Sequence, residues 1–127
     1  MSSLSNFITI IKNAYAANHK QVTLPHSKFN HALAQILSDH GYLGEVKKID
    51  ETPPKLQCQL LYLDEQALIT HLSLISKPGL RRYTTSDKIP YALSGRGLVI
   101  LSTSQGLMTD KQARKKNLGG ELICQIW

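Results

Sequence analysis

Cysteine is scarce, with two residues in 127, and aromatic side chains make up 6% of the chain with a single tryptophan. Two thiols are too few for a disulfide framework or a thiolate metal site. Cys58 and Cys124 fall in strand-like runs, where each reads as a small buried hydrophobe. No apolar run approaches the ~18 to 20 residues of a membrane-crossing helix. The opening MSSLSN lacks the basic residues of a secretory or transit peptide, so the expectation is a protein that works where it is made. There is no glycine-rich phosphate loop and no Gly-x-Ser-x-Gly elbow around Ser102 or Ser104. His19, His26, His31, His40 and His71 show no metal-ligand spacing and read as surface or half-buried residues. Neither cofactor, metal, membrane nor small-molecule substrate is expected, and an enzyme is disfavoured.

Acidic residues are also few, nine against fifteen Lys and Arg, for a net charge of +6. Residues 1 to 38 carry Lys12, Lys20 and Lys28 and no acid at all. Residues 39 to 75 are net acidic, with Asp39, Glu45, Asp50, Glu51, Asp64 and Glu65 against Lys47, Lys48 and Lys55. Residues 76 to 127 hold nine cations against Asp87, Asp110 and Glu121, so this part alone equals the whole excess of +6. A basic balance concentrated in one region suits an anionic partner.

With 42% hydrophobic residues the chain can bury a core. From Leu4 the apolar residues fall at 4, 7, 8, 11, 14 and 15, the spacing of an amphipathic helix that leaves Lys12, Asn13 and Ile10 facing elsewhere. KQVTLP reads as a strand, and Ser27 can cap a second helix that stops at Gly41. LGEVKKI, LQCQLLYL and ALITHLSLI read as strands, with Leu56, Cys58, Leu60 and Tyr62 on one face. Lys77-Pro78-Gly79 has the residues of a type II turn, and a helical turn is expected around Asp87 to Leu93. GLVIL should be buried, and GELICQIW should alternate Leu122, Cys124 and Ile126 against Glu121, Ile123 and Gln125. The expectation is an α+β chain: an N-terminal α-β-α-β-β domain over 1 to 66, packed on a mostly β C-terminal domain with a short helix over 67 to 127.

Between the last two strands lies STSQGLMTD, four hydroxyls and a glycine. Thr109 can cap a short helix with Gln112 three residues on, Asp110 in its first turn, Arg114, Lys115 and Lys116 toward its end, and Gly119 to stop it. That helix is polar nearly all round and reads as a surface element. Short hydroxyl side chains both donate and accept, which suits phosphate oxygens and 2′-hydroxyls. Arg81-Arg82-Tyr83 adds two cations and a ring able to stack on an unpaired base. Each feature has a plain alternative: Ser and Thr favour turns, a charge run is a solvated face, and Tyr83 is half-buried on an edge strand. Together, in the basic part, they point to RNA.

The run SKPGLRRY followed by GRGLVILSTSQGLMTDKQARKKNLGGELICQIW resembles the C-terminal half of the bacterial-type small-subunit ribosomal protein S-eight family. Lys12-Asn13-Ala14, VTLPHSK and Gly41-Tyr42 resemble its N-terminal half more loosely. The resemblance implies a structural protein that binds a helical junction in the central domain of the small-subunit rRNA, supports assembly and translation, has neighbouring small-subunit proteins as partners, and catalyses nothing. It implies RNA contact at Ser102, Thr103, Ser104 and Gly106, with Thr109 as a loop anchor and Glu121 facing the site. It also implies RNA-facing roles for Lys12, Asn13, Ser27 and Lys28, and for Arg81 and Tyr83; Lys115 is the phosphate candidate of the basic helix. Gln105 stands where the family pattern commonly has lysine, and Ile10 and Lys12 stand at two arginine positions. The lost cations weaken the expected electrostatic grip, and Ile10 on a polar face suits a protein neighbour. Such erosion fits an organelle matrix, mitochondrial and organelle-encoded, or a divergent bacterium's cytoplasm. A free double-stranded-RNA-binding regulator is the alternative, disfavoured by the acidic middle, and a hydrolase using Ser104 comes third.

Overall fold

The computed structural model describes residues 3–127. The architecture is α+β, and the chain divides into two compact units with the break between Leu68 and Ile69.

In the first unit, α1 (Ser3–Ala16) and α2 (Lys28–Asp39) lie against one face of an antiparallel sheet of order β1-β3-β2, from β1 (Gln21–Pro25), β2 (Leu43–Ile49) and β3 (Lys55–Leu60). The period-2 pattern buries Val22 and Leu24 beside Leu56, Cys58 and Leu60, while Phe7, Ile11, Leu33 and Leu37 close over them from the helices. The Ser27 hydroxyl caps α2 by accepting from the Asn30 amide at 3.0 Å, and Gly41, at φ +80°, stops it beyond His40. LQCQLLYL breaks at Leu61: Tyr62–Leu63 is a separate short strand, β4, paired with β5 (Gln66–Ala67). The expected strand ALITHLSLI is two pieces, β5 and Leu72–Leu74; at the break the amides of both Thr70 and His71 donate to the Trp127 carbonyl, at 2.7 and 2.8 Å.

In the second unit, β10 (Gly120–Ile126) is central. It pairs on one side with β8 (Leu98–Thr103), and on the other with β6 (Leu72–Leu74) and β7 (Tyr83–Thr84); β9 (Gly106–Thr109) extends the sheet beyond β8. The simple alternation expected of GELICQIW fails at a β-bulge: Leu122 pairs with Leu101 but Cys124 pairs with Ile100, so Leu122 and Cys124 face opposite sides. Val99, Leu101, Met108 and Leu122 share a cluster with Ala113 of α3 (Asp110–Lys115), which packs on that face. Three local expectations also change. Lys77 to Leu80 close a turn with the Leu80 amide on the Lys77 carbonyl at 2.9 Å, but Gly79 is not left-handed, so the turn is not type II. The helical turn is a 3-10 turn at Leu93–Gly95, with Leu93 and Ser94 at positive φ. α3 ends at Lys116 through a left-handed Asn117 (φ +56°), before Gly119.

Burial pushes the Cys58 thiol up to about 11 and the Cys124 thiol up to about 12. Thiolate is the reactive form, so raising the pKa removes it at pH 8. Neither cysteine should react with iodoacetamide in the native chain at pH 8, and both should react in denaturant; native labelling read by mass spectrometry at either position would contradict the burial.

Candidate nucleic-acid interface

The segment STSQG is the tip of a β8–β9 hairpin rather than a loose loop. Thr103 pairs with Gly106, leaving Ser104 and Gln105 exposed at the turn. Gly106 takes φ +103°, a conformation a side chain would strain. The Thr103 hydroxyl holds the turn, accepting from the Gln105 amide at 3.1 Å and donating to the Gly106 carbonyl at 2.9 Å. At the far end of β9, Thr109 and Gln112 form a capping box: the Thr109 hydroxyl accepts from the Gln112 amide at 3.2 Å, and Gln112 Oε1 accepts from the Thr109 amide at 3.0 Å. Two of the four hydroxyls are thus spent internally. Among the described residues, those of Ser102 and Ser104 have no hydrogen-bond partner in the chain.

Sheet register decides which candidates meet. Ser102 is opposite Glu121, Glu121 is opposite Tyr83 on its other side, and Ser102 is opposite Leu107. Residues directly opposite share a face, so Tyr83, Glu121, Ser102 and Leu107 form one row across four strands, about 14 Å long at the usual strand spacing. Arg81 joins it through an ion pair, Nη1 3.2 Å from Glu121 Oε2, with the Glu121 side chain only 19% exposed. That pairing matters electrostatically, because a lone carboxylate here would repel phosphate. Tyr83 is 70% exposed, more than the half-buried edge residue considered from sequence. Leu107 carries no signal of its own in the sequence, because its place in the row depends on the pairing of β9 with β8.

Other candidates lie elsewhere. Ser102 alternates with Leu101, so the row lies on the face opposite α3, and Lys115, exposed on α3, is not in it. Thr103 also points to the α3 side, its hydroxyl 3.9 Å from Met108 Sδ. In the first unit Lys12 and Asn13 are exposed on α1, Lys28 is exposed at the start of α2, Ser27 is half-buried as its cap, and Ile10 is half-buried.

The polar surface helix is corrected in one respect. Asp110 is buried, its Oδ2 2.8 Å from Arg114 Nη1 and its Oδ1 accepting the Val99 amide at 3.3 Å. Arg114 is drawn inward, leaving Lys111, Lys115 and Lys116 as the exposed cations of this run.

The ribosomal protein S8 family model matches residues 2–127. The chain is 44% identical to the small ribosomal subunit protein uS8 of Mycoplasmopsis synoviae over 126 residues, covering 98% of this chain and 96% of that protein. It is 40% identical to the uS8 of Shewanella frigidimarina, covering 97% and 95%, and 44% identical to that of Desulfitobacterium hafniense, covering 98% and 96%. The match runs through both units: the chain belongs to the ribosomal protein S8 family and is a structural, non-enzymatic component of the ribosome.

Proposed function

We propose that the chain is a constituent of the small ribosomal subunit that binds a helical junction in the central domain of the small-subunit rRNA, and so supports subunit assembly and translation beside neighbouring small-subunit proteins. The observation that carries this is the division of the hydroxyls: Thr103 and Thr109 bond within the chain, while among the described residues Ser102 and Ser104 are unspent. They stand with a neutralised Glu121 and an exposed Tyr83, a combination suited to backbone and 2′-hydroxyl contacts and to one stacked base. Gln105 and Gly106 complete that contact, and Lys115 supplies charge from the other face of the sheet. Lys12, Asn13, Ser27 and Lys28 form a second RNA contact from the first unit. The names of the relatives support the small subunit, and their bacterial sources support a bacterial cytoplasm, with an organelle matrix as the alternative.

Ser104→Ala should weaken binding to a central-domain rRNA transcript by about 1 kcal/mol, roughly fivefold, the scale of one lost hydrogen bond. Unchanged affinity in a filter-binding titration would remove the hairpin tip from the interface. Lys115→Glu should flatten the plot of log affinity against log salt by about one unit, because the slope counts neutralised phosphates. An unaltered slope would make α3 a solvated face. For the reading as a whole, the protein should sediment with the small subunit through a sucrose gradient of salt-washed ribosomes, and its absence there would reject it.

A further inference from the structure

Lys111, Arg114, Lys115 and Lys116 crowd into one run, and in sequence each is an equal candidate for a phosphate. In the fold they differ. Lys111, Lys115 and Lys116 are exposed and have no ion pair among the described residues. Arg114 is held at both terminal nitrogens and on one ring-like face. Its Nη1 is 2.8 Å from Asp110 Oδ2, its Nη2 donates to the carbonyls of Pro90 at 2.9 Å and Ile89 at 3.4 Å, and its guanidinium carbon lies 3.7 Å from the centre of the Tyr91 ring. To reach a phosphate it would have to give up a carboxylate and two carbonyls, and the planar fork that fits them is what distinguishes Arg from Lys.

We propose that Arg114 is a positioning residue for the hydroxyl hairpin and not itself an RNA contact; the proposal rests on the RNA-binding reading above. The mechanical path is short. Asp110 directly follows Thr109, the last residue of β9, and Thr109 pairs with Ile100 of β8. Asp110 also accepts the amide of Val99, the residue before Ile100. Arg114 fixes the orientation of that carboxylate and ties it to residues 89–91, a third segment. The base of the β8–β9 hairpin is thereby clamped three residues from Gly106, where β9 meets the tip. Without the clamp β9 can shear along β8, which displaces Ser104 relative to Ser102 while leaving every exposed cation in place. The loss is then one of geometry and not of charge.

The test uses the full chain with Arg114→Lys and Arg114→Gln. It reads the amide resonances of Ser104, Gln105 and Gly106 in RNA-free protein, and affinity for a central-domain rRNA transcript over a salt series. Both variants should keep a folded spectrum with shifted hairpin amides, and bind about tenfold more weakly, on the scale of a lost charge-assisted hydrogen bond. Neither should change the salt slope. Ser104→Ala should cost less in the Arg114→Lys background than in the parent, because coupled residues are non-additive. The proposal is overturned if the hairpin amides stay where they are, or if Arg114→Lys binds normally while Arg114→Gln flattens the slope by about 0.9, the signature of a phosphate contact. If both Arg114 variants unfold, Tyr91→Leu, which removes only the ring contact, should move the same amides, and unmoved resonances would overturn the idea there too. A parent chain that fails to bind the transcript would reject the RNA reading, while the hairpin amides would still decide whether Arg114 sets the tip.

Discussion

Gly120→Ala should lower stability by about 3 kcal/mol, at the upper end of the range for crowding a packed site, and should abolish RNA binding at concentrations where the parent binds. A β-carbon at Gly120 would collide with the Ser102 carbonyl oxygen, and would lie 3.0 Å from the Ser102 carbonyl carbon and 3.2 Å from Thr103 Cα. All three are backbone atoms, so no side chain can rotate away. Relief requires β10 to back off from β8 at the pair next to Glu121 and Ser102, which breaks ladder hydrogen bonds and parts the row together. Gly120 has no positive φ, so the substitution isolates crowding from backbone strain. The control is Gly79→Ala: nothing lies within 4 Å of its β-carbon position, and the change should be nearly neutral. Urea denaturation checks both; a Gly120→Ala chain as stable as the Gly79 control would mean that the two strands separate freely.

Asp110→Ala should be nearly as severe, about 3 kcal/mol, because breaking a buried pair from one side leaves the other charge uncompensated. The Asp110 side chain is 7% exposed and that of Arg114 23%, so water cannot readily replace the lost carboxylate. The Val99 amide loses its acceptor in the same stroke. Asp110→Asn separates the two effects, since an amide oxygen can still accept from Val99 but carries no charge; it should fall between parent and alanine. Thermal unfolding that placed Asp110→Ala within about 0.5 kcal/mol of the parent, the range of ordinary surface changes, would show that the pair is dispensable.

Features written in local chemistry were legible in the sequence. The 4-7-8-11-14 spacing gave α1, Ser27 and Gly41 bracketed α2, and Thr109 with Gln112 announced the capping box. Features that depend on a distant partner were not. Leu107 and Met108 are too short a run to signal a strand, and β9 exists because β8 is there to pair with. Nothing local separates the buried Asp110 and the half-buried Arg114 from the solvated lysines around them; the inward turn of Asp110 follows from the Val99 amide, eleven residues back in sequence. The bulge at Ile123 is invisible in a run where Leu122, Ile123 and Cys124 are all apolar. At the candidate interface the residue types could be read from sequence, but which of them share a face required the register.

The unequal use of the three consecutive hydroxyls has a consequence for how this segment tolerates change. Position 103 answers to the fold and positions 102 and 104 to whatever the chain binds. A library selected only for stable expression should therefore keep threonine, or serine with its hydroxyl at the same reach, at 103 while 102 and 104 drift. The same library selected for incorporation into ribosomes should hold all three.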